Sequence, residues 1–192
     1  MSIVIKAPSG GGSISLDTQQ SVTGDHTLQL PTGVGTAGQV LQNSSTAGTL
    51  EFAQGGKILQ VVQTIKTDNF ETTDTSFVDV TSLSASITPS SSSSKVLVRA
   101  VVCAGTGAAN ADNKIRLLRG STAITTNDVF VRNDSISESE SFVIEILDSP
   151  STTSSTTYKI QAKAESNEVF VNRRNNDDTM GQSSITLMEV AS

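Results

Sequence analysis

The sequence of 192 residues contains no Trp, one Tyr, one Cys and one His, and only 4% of it is aromatic. One Cys excludes a disulfide framework, and one Cys with one His excludes a zinc finger or a His-rich metal site. Charge is scarce as well: 17% of the residues are charged, against roughly 25% in an average soluble domain. Ser and Thr, about a quarter of the chain, supply the polarity instead. A net charge of −6 argues against nucleic acid, because neutralising a phosphate backbone needs clustered Lys and Arg. Arg173-Arg174 is the only basic doublet, and Asn175-Asn-Asp-Asp178 follows it at once. The first ten residues carry neither the basic segment nor the apolar run of a secretory signal, and no stretch approaches about 18 apolar residues. The expectation is a protein made in a cytoplasm, with no Sec signal and no membrane insertion.

The chain changes character near residue 56. Residues 1–56 hold one basic residue (Lys6), three acidic ones (Asp17, Asp25, Glu51), one aromatic (Phe52) and most of the Gly. A segment so poor in large apolar groups cannot offset on its own a backbone entropy cost of about 1 to 2 kcal/mol per residue. Ordering it requires copies of itself from other chains, or a larger assembly into which it docks. The short alternating stretches Ser13-Ile-Ser-Leu16 and Thr27-Leu-Gln-Leu30 predict strands with one thin apolar stripe. Three chains around an axis would bury that stripe against symmetry mates. Small residues at Gly33, Gly35, Ala37 and Gly38 would permit close approach and φ > 0 turns.

From Lys57 onward the pattern is strand after strand, expected near 57–66, 75–80, 83–88, 95–103, 114–119, 122–125, 129–132, 141–147, 156–164, 168–173 and 183–190. No window keeps helical periodicity over three turns, so the fold class is all-β. Alternation places Tyr158, Ile160, Ala162 and Ala164 inward, with Lys159, Gln161, Lys163 and Glu165 toward water. It likewise makes core faces of Val96, Val98, Ala100 and Val102, and of Phe142, Ile144 and Ile146. The opposite faces of these two strands are mixed: Leu97, Val101 and Cys103 accompany Arg99, and Val143 and Leu147 accompany Glu145. A sandwich needs one apolar face per sheet, so a second one implies a further covering surface, with subunit packing preferred over extra loops. The strand count and absence of repeats fit a jelly-roll sandwich over residues 57–192 better than a propeller. Cys103, within an apolar run, reads as a small buried hydrophobe, since no base or cation pattern surrounds it.

At these residues the chain resembles the fibre, knob and decoration proteins of tailed bacteriophages, especially of marine and cyanobacterial hosts. Leu28-Gln-Leu-Pro31, Gly35-Thr-Ala-Gly-Gln-Val-Leu41 and Gly48-Thr-Leu-Glu-Phe52 resemble a shaft unit in which Phe52 stands where Trp is more usual. Leu59-Gln-Val-Val-Gln-Thr-Ile-Lys-Thr67, the run from Ile87 to Lys95, and Ser184-Ile-Thr-Leu-Met-Glu-Val190 resemble the head such shafts carry. The resemblance implies a homotrimeric virion component, assembled in a host bacterial cytoplasm. Its N-terminal extended β arm or shaft (1–56) would be followed by a jelly-roll β-sandwich head (57–192), similar in outline to tumour-necrosis-factor and complement globular heads. It implies no catalytic residue.

The residues point the same way. A Ser-His-Asp or Cys-His centre needs an imidazole beside the nucleophile, and His26 is far in sequence from Cys103. Glu138, Glu140, Glu145, Asp177 and Asp178 offer carboxylates for glycosidase chemistry but read first as solvated edges and turns. Asn175-Asn-Asp-Asp178 lacks the spacing and Gly of an EF-hand, so no metal and no cofactor is expected. The loop 105–113 has Gly-x-Gly without the third Gly or a following helix, which disfavours phosphate cradling.

The expected function is therefore non-enzymatic. A short tail fibre or knob would attach to other virion proteins through its arm and present its head to a host surface glycan or protein. A capsid decoration or head-fibre protein that stiffens the shell is one alternative. A free carbohydrate-binding module is another, disfavoured because no Trp is present and the one Tyr points inward. Host contact is expected on loops 105–113, 133–140 and 174–182, with Asn110, Asp112, Asn176, Asp177 and Asp178 hydrogen bonding to a partner.

Overall fold

The computed structural model describes residues 3–6, 13–16, 29–36, 38–54, 57–125, 127–136, 138–173 and 181–191. Its contacts divide the chain into Met1–Gly55 and Gly56–Ser192. The first unit holds two antiparallel hairpins. β1 (Ile3–Lys6) pairs with β2 (Ser13–Leu16), and β3 (Gln39–Asn43) pairs with β4 (Leu50–Gln54). Gly38 (φ 87) and Gly48 (φ 77) occupy the left-handed region at the entry to β3 and in the β3–β4 turn, where a Cβ would be strained. Gly35 lies flat on an aromatic ring: a Cβ there would stand 2.6 Å from Cδ1 of Phe52. Of the strand expected at 27–30, Gln29 makes only an isolated bridge to Thr49, while Thr27 and Leu28 lie outside the described residues. No described residue between 29 and 54 is buried, and Leu30 and Val34 are 66% and 94% exposed.

The second unit is a sandwich of two antiparallel sheets. One has the order β5 (Ile58–Lys66), β15 (Ser183–Val190), β8 (Lys95–Thr106) and β12 (Ser139–Asp148). Beyond the end of β15, β14 (Val169–Val171) takes over the same edge of β8, and β6 (Phe70–Thr72) pairs with β14. The other sheet runs β7 (Val78–Ile87), β13 (Thr156–Lys163), β9 (Asn113–Arg119) and β11 (Val129–Val131), with the short β10 (Thr122–Ala123) folded back on β9. Among β5, β7, β8, β9, β11, β12, β13 and β15 the chain changes sheet at every step except β9 to β11. That alternation is the double Greek key of a jelly roll.

Alternation holds along the central strands. Val96, Val98, Ala100 and Val102 of β8 are all 0% exposed and meet Tyr158, Ile160 and Ala162 of β13, also 0% exposed. Each such Val, Leu or Ile contributes about 1.5 to 3 kcal/mol when removed from water. Ile144 is buried, but Phe142 and Ile146 are only partly so, because β12 is an edge strand with one neighbour.

Two expected strands, 75–80 and 83–88, are one. Thr81 and Ser82 (φ 62) both face outward in a bulge, so Val80 and Leu83 both reach the core, and the partner register shifts between Lys159 and Gln161. The three-residue β6, set between Asp68-Asn69 and Asp74, has no counterpart in the expected strands. Its Phe70 packs against the core and its backbone pairs with β14.

Buried polar groups close the places where ladders end. Between the ends of β14 and β15, Ser183 Oγ accepts the Cys103 N–H (3.0 Å) and donates to Asn172 Oδ1 (2.6 Å). Asn172 Nδ2 donates to the carbonyls of Lys66 (2.9 Å) and Asp68 (3.0 Å). Glu189, at an inward position of β15 and 0% exposed, accepts from Ser90 N (2.7 Å), Ser90 Oγ (2.6 Å) and Gln60 Nε2 (2.6 Å), which pins the Ser-rich 88–94 loop. The Tyr158 hydroxyl donates to Asp148 (2.7 Å), which also receives Arg119 (2.8 Å). Burial, and then the Asp148 carboxylate, push the Tyr158 phenol well above its ordinary value.

Candidate recognition loops and assembly face

Connections gather at one end of the sandwich because Gly105 has no side chain. A Cβ there would stand 2.7 Å from the Glu138 carbonyl oxygen and 3.4 Å from that of Arg173, so three chain segments converge on it. The neighbouring 164–168 turn joins them, as Gly107 N donates to the Glu168 carbonyl (2.9 Å). The buried Asn113 side chain spans the same gap: Nδ2 donates to Glu168 O (2.6 Å) while Oδ1 accepts from Glu165 N (3.0 Å).

The strands reach further toward this end than the sequence suggested. β8 continues to Thr106 and β12 begins at Ser139, so the connecting segments are 107–112 and 132–138 rather than 105–113 and 133–140. The extra residues pair because Ser139 sits opposite Gly105. Asn110, at φ 58, donates its N–H to the Asn133 carbonyl (2.8 Å), which ties the two segments together. Arg132 then bridges them with side-chain bonds, Nη1 to Asp112 Oδ1 (2.9 Å) and Nη2 to Asn110 Oδ1 (3.3 Å). The expected site residues Asn110 and Asp112 are thus brought together, both exposed, and the guanidinium joining them was not foreseen. The only signal was its place two residues after Phe130 on an alternating strand. Asn176, Asp177 and Asp178 lie outside the described residues, as does His26. Asn133 is 1% exposed, and neither atom of its side-chain amide has a protein partner.

The outward face of the β5–β15–β8–β12 sheet carries two apolar rows across four strands. Strand registers align Val61, Met188, Leu97 and Leu147 in one row, and Ile65, Ser184, Val101 and Val143 in another. Between them runs a polar row of Gln63, Thr186, Arg99 and Glu145, with Arg99 Nε 3.5 Å from Glu145. Val61, Ile65, Val143 and Leu147 are 57%, 51%, 52% and 49% exposed. Cys103 also lies on this outward side, half-buried rather than in the core, with Sγ 3.8 Å from Ser139 Oγ.

The outward face of the other sheet is polar and ion-paired. Lys114 and Lys163 share Glu165 (2.9 and 2.8 Å), and Lys159 pairs with Asp79 (2.7 Å). Glu165 raises the Lys114 ammonium above its usual range, and Lys163 with Lys114 lowers the Glu165 carboxyl. Among the described residues no group of three or more His, Cys, Asp or Glu is placed to hold a metal ion.

No protein-family model matches the sequence, and no curated protein matches it. Solved structures similar in outline include VP2 of infectious bursal disease virus in a subviral particle, at 9% identity and a TM-score of 0.40. The alignment covers 80% of this chain and 42% of that one. The structure of the Gt strain of the same virus has 11% identity and a TM-score of 0.41, with 81% and 44% of the two chains covered. The chain therefore spans less than half the length of the structures it resembles, and its jelly-roll assignment rests on its own strand pairing.

Proposed function

We propose that this protein is a structural component of a virus particle, a short bacteriophage fibre or knob. In this reading copies of the chain associate as a homotrimer, the N-terminal arm fixes them to other virion proteins, and the head is presented to the host surface. The observation that carries it is the pair of exposed apolar rows on the β5–β15–β8–β12 face. Rows of exposed large apolar side chains on one sheet face mark an interaction site, since their exposure to water is unfavourable. Two features favour further copies of this chain as the covering surface. The central polar row contains both signs of charge in Arg99 and Glu145, so it offers a like surface complementary partners. Among the described residues of the first unit, Val40 and Leu41 are likewise 46% and 48% exposed, a surface that association would bury. The sequence resemblance to phage shafts and heads supplies the particle. The chain's role in this reading is positional, with no covalent chemistry.

The test is location. Gold-labelled antibody against the head should decorate purified particles, and protein lacking residues 1–56 should be absent from them. Particles free of the protein, or particles that still incorporate the arm-deleted form, would contradict the reading.

A further inference from the structure

Phe130 is the one exposed large aromatic side chain among the described residues, at 56%. The other aromatic rings of the sandwich are buried or half-buried. Phe77 lies under Arg116 (3.8 Å) and Lys163 (5.6 Å), while Phe170 is buried beneath Arg173 (4.6 Å). Phe130 stands on the outward face of the edge strand β11, opposite Lys114, whose ammonium is 5.2 Å from its ring centroid. Two residues further along that face is Arg132, joined to Asp112 and Asn110.

Three kinds of hydrogen-bonding group therefore border one open ring. Asp112 accepts only, Arg132 donates only and has N–H groups to spare, and the Asn110 amide does both. The Asn110-to-Asn133 backbone bond fixes their spacing before any ligand arrives, so little ordering entropy is lost on binding. Below them the Asn133 amide carries further unspent capacity. An apolar protein partner would strip water from the Arg132–Asp112 pair without replacing it. A simple anion would meet the Asp112 carboxylate. A sugar ring suits all of it, with a C–H face for the aromatic and neighbouring hydroxyls that each donate and accept.

We propose that Phe130, Asn110, Asp112 and Arg132 form a subsite for one sugar ring of a glycan, the C–H face stacked on Phe130 and adjacent hydroxyls bonded to the three polar side chains. This rests on the host-recognition reading above and gives it a ligand class. It also places the aromatic platform that a chain without Trp, and with its Tyr turned inward, had seemed to lack.

Saturation-transfer NMR on the intact protein, with glucose, galactose, mannose, rhamnose and N-acetylglucosamine each at millimolar concentration, tests it. Ring C–H protons of at least one sugar should receive saturation. Affinity for that sugar should fall at least tenfold in Phe130→Ala and in Asp112→Ala, and be kept within threefold in Phe130→Tyr. Transfer to no sugar, or equal transfer in Phe130→Ala and Asp112→Ala, overturns the subsite. So does a change of native mass in Phe130→Ala, which would make the ring a contact between copies. Failure here with particle incorporation intact removes the subsite alone, whereas loss of particle association removes the functional reading.

Discussion

Replacing Glu189 by Gln should cost the head stability and remove one component of its acid sensitivity. Burial pushes the Glu189 carboxyl up, but hydrogen bonds from Ser90, Gln60 and Ser94 outweigh that and hold it at about 2, against an ordinary 4.5. A folded-state value below the unfolded one means the carboxylate stabilises the fold fully above pH 4.5. That contribution declines as pH falls from 4.5 toward 2 and is gone below both values. At 1.36 kcal/mol per pH unit the difference is about 3 kcal/mol, and screening by water around the exposed Ser92 and Ser93 brings it to about 2 kcal/mol. In Glu189→Gln the amide nitrogen confronts donors from Ser90 or Gln60, so about 2 kcal/mol should be lost at pH 7. Urea unfolding of both proteins from pH 7 to pH 2 reads the effect. Their midpoints should differ at neutral pH and converge only as pH approaches 2, and subtraction cancels the other lowered carboxylates, Asp68, Asp79 and Glu165. A variant within about 0.5 kcal/mol of the native protein at pH 7, or a pH-independent gap, would refute the reasoning.

Asn172→Ala should destabilise the head by about 3 to 4 kcal/mol in urea unfolding. It orphans the buried Lys66 carbonyl and Ser183 hydroxyl, removes the donor to the Asp68 carbonyl, and places Ala at φ 61. Asn172→Gly should recover about 1 kcal/mol of that through the backbone alone, and equal losses would show that φ carries no strain. A fragment of residues 57–192 should unfold cooperatively in urea, because every residue of the buried apolar cluster lies between Val80 and Leu187; a broad, non-cooperative transition would contradict the boundary.

The parts of the fold legible in the sequence were those set by period-two alternation. Tyr158 to Ala164 and Val96 to Val102 declared their inward faces, and the mixed faces of β8 and β12 already announced an outward apolar surface. The bulge at Thr81-Ser82 hid because an odd number of extra residues on β7 reverses the alternation and looks like a strand break. Glu189 carried a faint signal, an acid in step with Ile185 and Leu187, but its donors come from residues 60, 90 and 94, which only the tertiary fold brings near. Asn110 and Asp112 were legible as loop residues. Their junction with Arg132 was not, because it depends on the Asn110-to-Asn133 bond between segments more than twenty residues apart. Phe130 escaped notice because a three-residue strand is too short to show which way its middle residue points.

Native mass spectrometry of the intact protein at micromolar concentration, beside a Val143→Glu/Leu147→Glu double variant, tests the assembly claim most directly. The account predicts a species of about three times 20.0 kDa, which the double variant reduces to the mass of one chain while its head still unfolds cooperatively. A single-chain mass for the unaltered protein, or a trimer that survives both charges on the β12 face, would contradict it.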